Sequence, residues 1–295
     1  MDNRVLPFIS RYQPSLDQLL SSSKKCTLGR WYNLRCKNKL YFRDGAVNVM
    51  FRIHHINYLK CKEIWYKEGK KHRHDVDPET GLTLPAYIGG DGTEFWYKEG
   101  KVHRNDVDPE TGLTLPAIIR GDGTQQWCKE GELHRDDVDP LTALTLPVKI
   151  GADGTQYWYK EEKLHRYEKD PKTGLTLPAE IWRDGTQIWY KEGKRHHDEK
   201  DPLTALTLPA VIWADRGQFW YKEGKLHRDD VDPSTGLTLP ALIEANGRQY
   251  WYKEGKQHRN DVDPSTGLTL PAVIEADGTQ YWYKEGKRLE SMIPN

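Results

Sequence analysis

The chain has 295 residues, and its 44 Lys and Arg balance its 44 Asp and Glu, so the formal net charge is zero. No apolar run approaches the roughly 18 residues of a membrane-spanning helix, and no signal peptide is visible, so we predict a soluble, intracellular protein. The charge is unevenly distributed. Residues 1–64 hold 12 basic and 4 acidic side chains, a net of +8, and the remainder holds 32 and 40, a net of −8. A basic head of this kind suits an anionic membrane or nucleic acid, and equally the acidic remainder of its own chain.

Residues 1–62 differ from the rest of the chain and are predicted to form an N-terminal cap or head. Ser15-Leu16-Asp17-Gln18 has the form of a helix capping box and predicts one short helix. Residues 40–51 predict two strands joined by a turn at Asp44-Gly45. An alternative interpretation is a degenerate F-box-like adaptor head, on the pattern of leucines and a tryptophan between residues 6 and 31.

The cysteines show no CxxC spacing, which favours free thiols in a reducing compartment over a disulfide framework. They are Cys26, Cys36, Cys61 and Cys128.

From residue 63 to residue 288 the chain repeats with a period of 31 residues, without insertion or deletion. So strict a period indicates a repeat array in which each unit stacks on its neighbours. The fold class predicted is all-β, an elongated antiparallel β-hairpin array of eight units, followed by a C-terminal tail at residues 289–295. In the hairpin strands the two large apolar residues that do not vary are a tryptophan and an isoleucine, which we predict to form the structural spine. The tryptophans are Trp65, Trp96, Trp127, Trp158, Trp189, Trp220, Trp251 and Trp282, and the isoleucines are Ile88, Ile119, Ile150, Ile181, Ile212, Ile243 and Ile274.

Within one unit the sequence predicts two successive hairpins. A short apolar-rich strand at residues 241–245 is followed by a turn at Asn246-Gly247 and by an aromatic strand at residues 249–252, which includes Trp251. A second turn follows at Glu254-Gly255, where the glycine suits a left-handed conformation.

The register of the first hairpin depends on the length of its loop. A three-residue loop places Ile243 opposite Gln249, on the same sheet face as Trp251, whereas a two-residue loop places it opposite Tyr250. We favour the three-residue loop, because it brings the invariant Ile and Trp to one face. The residue before the isoleucine varies freely between units, and we expect it to face solvent.

The connection between units is predicted to begin with an Asp-Pro turn, because proline fixes φ and Asp caps its own backbone. The Leu-Thr-Leu-Pro segment that follows is expected to run extended, with Leu268 and Leu270 covering an edge or face of the sheet. The glycine of this turn is replaced by Ala143 and Ala205 in two units. From this replacement we expect no compulsory left-handed residue there.

The Trp-Tyr-Lys-Glu-Gly-Lys-x-His-Arg segment and the Asp-Gly hairpin resemble MORN repeats, in the variant of YwqK-type bacterial proteins and large DNA viruses of protists. The resemblance covers residues 63–288. It departs from the family in period, because the Asp-Pro-x-Thr-Gly-Leu-Thr-Leu-Pro connection is an expansion of the family's shorter unit. The resemblance implies an antiparallel β-hairpin array and a scaffold without catalytic residues. It also implies membrane association, as proposed for some members, and a virus-encoded or virion-associated protein.

The polar cluster that most resembles a site is His-Arg-x-Asp-x-Asp-Pro, for example His227, Arg228, Asp230 and Asp232. Equivalent histidines of neighbouring units are expected about 9.6 Å apart, too far to share a metal ion with bonds near 2 Å. We therefore interpret the cluster as a polar strand end and a capped turn, and predict no catalytic residue, no cofactor and no metal site.

The function predicted is a non-enzymatic scaffold that mediates protein–protein interaction, because each polar group recurs along the array and none converges on a single centre. The partner protein is not identified by the sequence. Two alternatives stay open, namely a peripheral membrane organiser that binds lipid through the basic head, and an adaptor with the F-box-like head. Nucleic acid is not expected as a partner, because the array is acidic and its charges alternate.

Overall fold

The computed structural model describes residues 41–43, 50–57 and 60–289, with side chains from residue 63 onward. The predicted capping-box helix, the Asp44-Gly45 turn and the F-box interpretation all concern residues outside these ranges. The described ranges are all-β and contain no helix, hence none long and apolar enough to cross a membrane.

Four strands form the start of the array, and the first repeated tryptophan, Trp65, lies in the third of them. Tyr41–Arg43 pairs antiparallel with the start of Met50–Asn57, in agreement with the two strands predicted there. The second strand then pairs along its whole length with the third. These strands are β1 (Tyr41–Arg43), β2 (Met50–Asn57), β3 (Lys60–Lys67) and β4 (Lys70–Lys71).

Each following unit contributes two strands to one long antiparallel sheet, which we call the main sheet. The first strands are β5 (Tyr87–Ile88), β9 (Ile118–Ile119), β13 (Lys149–Ile150), β17 (Glu180–Ile181), β21 (Val211–Ile212), β25 (Leu242–Ile243) and β29 (Val273–Ile274). The second strands are β6 (Glu94–Phe95), β10 (Gln125–Gln126), β14 (Gln156–Tyr157), β18 (Gln187–Ile188), β22 (Gln218–Phe219), β26 (Gln249–Tyr250) and β30 (Gln280–Tyr281).

Each unit then forms a second hairpin outside the main sheet. Its first strands are β7 (Tyr97–Lys98), β11 (Cys128–Lys129), β15 (Tyr159–Lys160), β19 (Tyr190–Lys191), β23 (Tyr221–Lys222), β27 (Tyr252–Lys253) and β31 (Tyr283–Lys284). Its return strands are β8 (Lys101–Val102), β12 (Glu132–Leu133), β16 (Lys163–Leu164), β20 (Lys194–Arg195), β24 (Lys225–Leu226), β28 (Lys256–Gln257) and β32 (Lys287–Arg288).

The main sheet takes its strands in chain order, from β1, β2 and β3 through β5 and β6 to β29 and β30. Within a unit, Ile243 pairs with Gln249 and Leu242 with Tyr250, which confirms the three-residue loop. Between units, Gln249 pairs in turn with Ile274. Isoleucine and glutamine (glutamate at Glu63 and Glu94) therefore alternate in one row across the sheet, which we call the Ile–Gln row.

The expectation that the residue before each isoleucine faces solvent is wrong. Ile118, Val211, Leu242 and Val273 are buried, whereas the invariant isoleucines are only half-buried. The second hairpin is packed against the opposite face from the Ile–Gln row: Ile118 and Cys128 form a buried cluster with the partly buried Val102 and Leu133 of the return strands. Side chains at this position vary because they match different hairpin residues.

Both hairpin turns contain left-handed residues. In the second hairpin Glu99 and Gly100 have φ of 51° and 88°, the pair of positive φ values that a type I′ turn requires. One unit has Glu161 and Glu162 there, at 49° and 61°, without a glycine.

The connection begins with the predicted Asp-Pro turn. Asp77 Oδ1 accepts hydrogen bonds from the backbone amides of Glu79 (2.9 Å) and Thr80 (3.0 Å). The expectation that no left-handed residue is needed here is wrong, because Ala143 and Ala205 both have φ of 58°, close to the 72° of Gly81. The backbone amide of that residue bonds to the carbonyl of the turn aspartate, as Gly81 does to Asp77 at 2.8 Å. This bond fixes the conformation whichever residue occupies the position.

Candidate interaction surface

A Trp–Arg–Asp cluster holds each connection to the sheet. In the unit of Trp96, the guanidinium of Arg104 lies 3.8 Å from the centre of the indole ring. Its Nε donates to Asp106 Oδ2 (2.8 Å), and its Nη1 donates to the carbonyl of Pro116 (3.1 Å). Five other units repeat the stacking at 3.8–4.0 Å, with Arg73 on Trp65, Arg135 on Trp127, Arg166 on Trp158, Arg228 on Trp220 and Arg259 on Trp251.

The same cluster binds the preceding unit through one threonine. Asp106 Oδ2 accepts from the backbone amide (3.1 Å) and the hydroxyl (2.5 Å) of Thr83, and Trp96 Nε1 donates to the Thr83 carbonyl (2.8 Å). Equivalent threonine–carboxylate contacts join Thr114 to Asp137, Thr145 to Glu168, Thr176 to Glu199, Thr207 to Asp230 and Thr238 to Asp261.

The electrostatics of this cluster are those of a structural ion pair. Burial lowers the pKa of Arg135, against the opposing effect of Asp137. Burial would raise the pKa of Asp137, but hydrogen bonds from Thr114 and Arg135 outweigh it and hold that pKa below its usual value. The pair is thus held together by hydrogen bonds to one another, to Thr114 and to the backbone.

One unit replaces the arginine with a histidine. The His197 ring lies parallel to the Trp189 ring, with centroids 4.9 Å apart and planes inclined by 7°. Its Nδ1 is 2.9 Å from the carbonyl of Pro209, where the other units place Arg Nη1, so Nδ1 carries the proton that is donated. Burial lowers the pKa of His197.

The histidine that precedes the arginine links the second hairpins of neighbouring units. His103 Nδ1 accepts the backbone amide of Glu130 (3.1 Å), and the Gly131 amide bonds to the Val102 carbonyl (2.9 Å). Both bonds recur at the other junctions from His72 to His258 except one. Between His134 and the Glu161-Glu162 turn, within the described residues, neither is present.

The His-Arg-x-Asp-x-Asp-Pro cluster therefore has a structural role at every position that sequence analysis singled out. His227 accepts the Glu254 amide, Arg228 and Asp230 form the buried pair, and Asp232 caps the turn. Among the described residues no group of three or more His, Cys, Asp or Glu is placed to hold a metal ion. Cys128 is a free buried thiol whose pKa is raised by burial to about 11.

An open pocket of about 480 Å³ lies on the Ile–Gln row, at the junction of the Trp96 and Trp127 units. Its lining includes Glu94, Ile119 and Gln125 of the row, Leu113 and Leu115 of the connection, and the arginines Arg104 and Arg135. Both tryptophans line it. The predicted spine thus has two environments, because Trp65 to Trp251 are buried while the isoleucines and Trp282 are half-buried. The residue types that line this pocket recur in the following units.

The side of the pocket nearest the connection carries a row of acidic residues, the turn-capping aspartates. Asp108 lines the pocket itself. Hydrogen bonds from the turn's own amides lower the pKa of Asp139 and Asp170. None of the seven has a salt-bridge partner within the described part of the chain. They are Asp77, Asp108, Asp139, Asp170, Asp201, Asp232 and Asp263.

The opposite face carries the residues that distinguish one unit from another. Trp182 and Trp213 of adjacent units meet edge to face, with centroids 5.2 Å apart. The buried Glu180 accepts from Trp182 Nε1 (2.7 Å) and from the Tyr190 hydroxyl (2.9 Å). The sequence pattern gave no signal for this cluster, because its members occupy positions that vary.

No protein-family model, no curated protein and no solved structure matches this chain.

Proposed function

We propose that the chain is a non-enzymatic scaffold of MORN type, which binds an extended segment of a partner protein along the Ile–Gln row. The observation that carries the proposal is the pocket at the Trp96–Trp127 junction, together with the recurrence of its lining residues every 31 positions. A surface that repeats the same lining residues in each unit suits a long partner that makes the same contact many times. Repeat arrays commonly bind through extended surfaces of this kind.

The polar chemistry of the array supports binding over catalysis. The arginine, aspartate and histidine of each unit are bonded to one another or to the backbone, and the same groups recur in each unit. An active site gathers unlike groups around one reacting centre. The half-buried isoleucines, in contrast, leave apolar surface in the row that a partner can cover.

Site-specific photocrosslinking of the full chain in its native cell tests the proposal. A photoreactive residue replaces Gln156 in the Ile–Gln row, and a matched variant carries it at Lys160, which is exposed on the second hairpin. We expect one partner protein to crosslink at Gln156 and not at Lys160. A partner that crosslinks only at Lys160, or no crosslink from Gln156, contradicts the proposal.

The resemblance to MORN repeats and to viral proteins belongs to this proposal, with the β-hairpin array as its support. Lipid binding by the basic residues 1–64 and the F-box-like adaptor remain predictions from the sequence, because the described side chains begin at residue 63.

A further inference from the structure

The residues that line the pocket recur along the Ile–Gln row at a fixed spacing, which limits which partner can contact several units. The row runs perpendicular to the strands, and Ile119, Gln125 and Ile150 are successive members on adjacent strands. Each unit adds two strands, so equivalent positions repeat about every 9.6 Å. A linear partner that makes the same contact in each unit must present the same side chain at about this interval.

Among regular backbone conformations, polyproline II fits this interval. It has three residues per turn and a rise of about 3.1 Å per residue, so every third side chain recurs on one side after about 9.3 Å. In a β-strand, residues three apart point to opposite faces, so the same face cannot recur at this distance. An α-helix repeats every 5.4 Å, which does not divide the interval evenly.

The lining of the pocket matches the chemistry of a polyproline II segment. Ile119, Leu113 and Leu115 are half-buried and offer aliphatic surface on which proline rings can pack. The indoles of Trp96 and Trp127 lie beneath the guanidinium groups of two arginines that also line the pocket, Arg104 and Arg135. The side-chain amide of Gln125 has no hydrogen-bond partner within the described residues. A polyproline II backbone makes no internal hydrogen bonds, so its carbonyls are free to accept from such an amide.

The charge beside the pockets specifies the partner further. Asp108 lines the pocket and has no salt-bridge partner among the described residues, and an aspartate recurs at its position in each unit. The two arginines of the same lining, Arg104 and Arg135, are each paired with a carboxylate of their own unit. Hydrogen bonding lowers the pKa of Asp139, Asp170 and Asp201 and so keeps them ionised. A cation at every third residue of the partner would face one carboxylate per unit.

We propose that the partner segment is a basic, proline-rich peptide in the polyproline II conformation, with Lys or Arg at every third position. This inference rests on the proposed function, since it names the class of partner that occupies the same row. Its affinity grows with the number of three-residue turns, because each turn adds one contact to an already bound chain.

The test measures binding of fluorescent peptides to the full chain by anisotropy. The peptide with six Pro-Pro-Lys triplets is compared with a two-triplet peptide, a peptide of equal composition with clustered lysines, and one with Glu in place of Lys. The protein variant is Asp139→Asn/Asp170→Asn/Asp201→Asn, because asparagine still caps the turn but carries no charge. Its charge-matched control is Glu130→Gln/Glu161→Gln/Glu192→Gln, on the exposed turns of the second hairpins.

We expect the six-triplet peptide to bind at least about tenfold more tightly than the two-triplet and the clustered peptides, since only a regular array of contacts is multivalent. The triple asparagine variant should weaken binding about tenfold and the glutamine control less than about twofold, because only the former removes charges beside the pockets. Equal binding of the clustered peptide, or equal loss in both variants, would show charge attraction alone and overturn the inference. Absence of peptide binding, with a partner still crosslinked at Gln156, overturns this inference and leaves the proposed function standing. If no peptide binds and no partner crosslinks at Gln156, both this inference and the proposed function are contradicted.

Discussion

At the scale of single residues, two alanines occupy a backbone conformation that suits glycine. Ala143 and Ala205 have φ of 58°, and a Cβ at the equivalent Gly174 would contact nothing within 4 Å. The alanine methyl group therefore gains no packing that could offset the cost of left-handed backbone, about 1–2 kcal/mol for an L-residue.

We expect Ala143→Gly and Ala205→Gly each to raise the free energy of unfolding by roughly 0.5–1 kcal/mol, after the entropy cost of glycine is subtracted. Chemical denaturation at equilibrium measures the change. Ala152→Gly is the control, because Ala152 has no positive φ and its replacement should be neutral or slightly destabilising. A loss of stability in Ala143→Gly would contradict the conformational argument.

His197 gives one unit a pH dependence that the arginine units lack. Its pKa is lowered, chiefly by burial, so the folded state disfavours the proton. The stability that neutral His197 contributes is fully present above its unfolded pKa near 6.5, and is lost as the pH falls towards the lower folded pKa. Glu199 and Asp198 face the ring and act to raise its pKa, which reduces this loss of stability but does not reverse it.

For His197→Arg we expect a gain in unfolding free energy over the parent chain that grows as the pH is lowered from 7 to 5. The arginine is charged throughout this range and can stack on Trp189 as Arg166 stacks on Trp158 at 4.0 Å. Denaturant titrations of both proteins across the pH range isolate the effect, since the other titrating groups are common to the two. A constant difference would mean that His197 does not titrate with unfolding.

At the scale of the structural element, the connection is attached through the carboxylate of the Trp–Arg–Asp cluster. Asp137 is 11% exposed and accepts from Arg135 Nε at 2.8 Å and from Thr114 at 2.5 and 3.0 Å. We expect Asp137→Ala to cost about 3–5 kcal/mol, because it leaves a buried guanidinium without its partner. Its neighbour Asp136 is 72% exposed, and Asp136→Ala should change stability by less than about 0.5 kcal/mol. Equal losses of unfolding free energy in the two variants, measured by urea denaturation, would show that the Trp–Arg–Asp cluster does not hold the connection to the sheet.

The second hairpins form a connected column with one interruption. At the Glu161-Glu162 turn both interunit bonds are missing, and two consecutive glutamates have positive φ. We expect the Glu161 amide to exchange its hydrogen faster than the equivalent Glu130 and Glu192 amides, which bond to His103 and His165. Glu162→Gly should restore the Glu-Gly turn and slow that exchange. Exchange at Glu161 that is already as slow as at Glu192 would contradict the interruption.

The sequence predicted the two hairpins of a unit and the register of the first, because both depend on local residues. Ile243 opposite Gln249 follows from the loop length alone. The sequence did not predict which sheet face the second hairpin covers, because that depends on the direction in which the chain leaves Trp251. The variability of positions such as Leu242 and Glu180 therefore suggested solvent, whereas both side chains are buried. Likewise, Ala143 in place of glycine gave no indication that this position has a positive φ. The hydrogen bond from its amide to the Asp139 carbonyl imposes that conformation.

The candidate surface was predictable in part. Its repeated composition followed from the period, and so did the pairing of isoleucine with glutamine once the register was chosen. The pocket did not, because the sequence does not show that Leu113 and Leu115 lie beside that row instead of against the opposite face. Nor did it show that Arg104 would stack on Trp96, since the two are brought together by the second hairpin between them.

At the scale of the whole molecule, stability should depend on position along the array. In a repeat protein each unit is stabilised by its own contacts and by those with its two neighbours. The backbone amide of Trp158 bonds to the Ala179 carbonyl of the next unit (2.8 Å), and Arg166 covers its ring. Trp282 has no equivalent arginine. The repeat pattern ends after Arg288, because Arg288 occupies the position before the histidine and Leu289 the position of the histidine itself. The Trp282 side chain is half-buried.

We therefore expect Trp158→Ala to cost roughly 3–5 kcal/mol, because a buried indole is lost from a junction between two units. Trp282→Ala should cost less than about half as much, because the indole is already partly hydrated and only one neighbouring unit is affected. Denaturation followed by far-UV circular dichroism measures both changes, and fluorescence of the remaining tryptophans reports whether the array unfolds as one unit. In the interior variant the two probes should separate, because the damaged junction divides the array into two blocks with different stabilities. Coincident transitions with equal losses in the two variants would show that the units do not act through their neighbours, and a loss below about 1 kcal/mol for Trp158→Ala would contradict the burial of the tryptophan column.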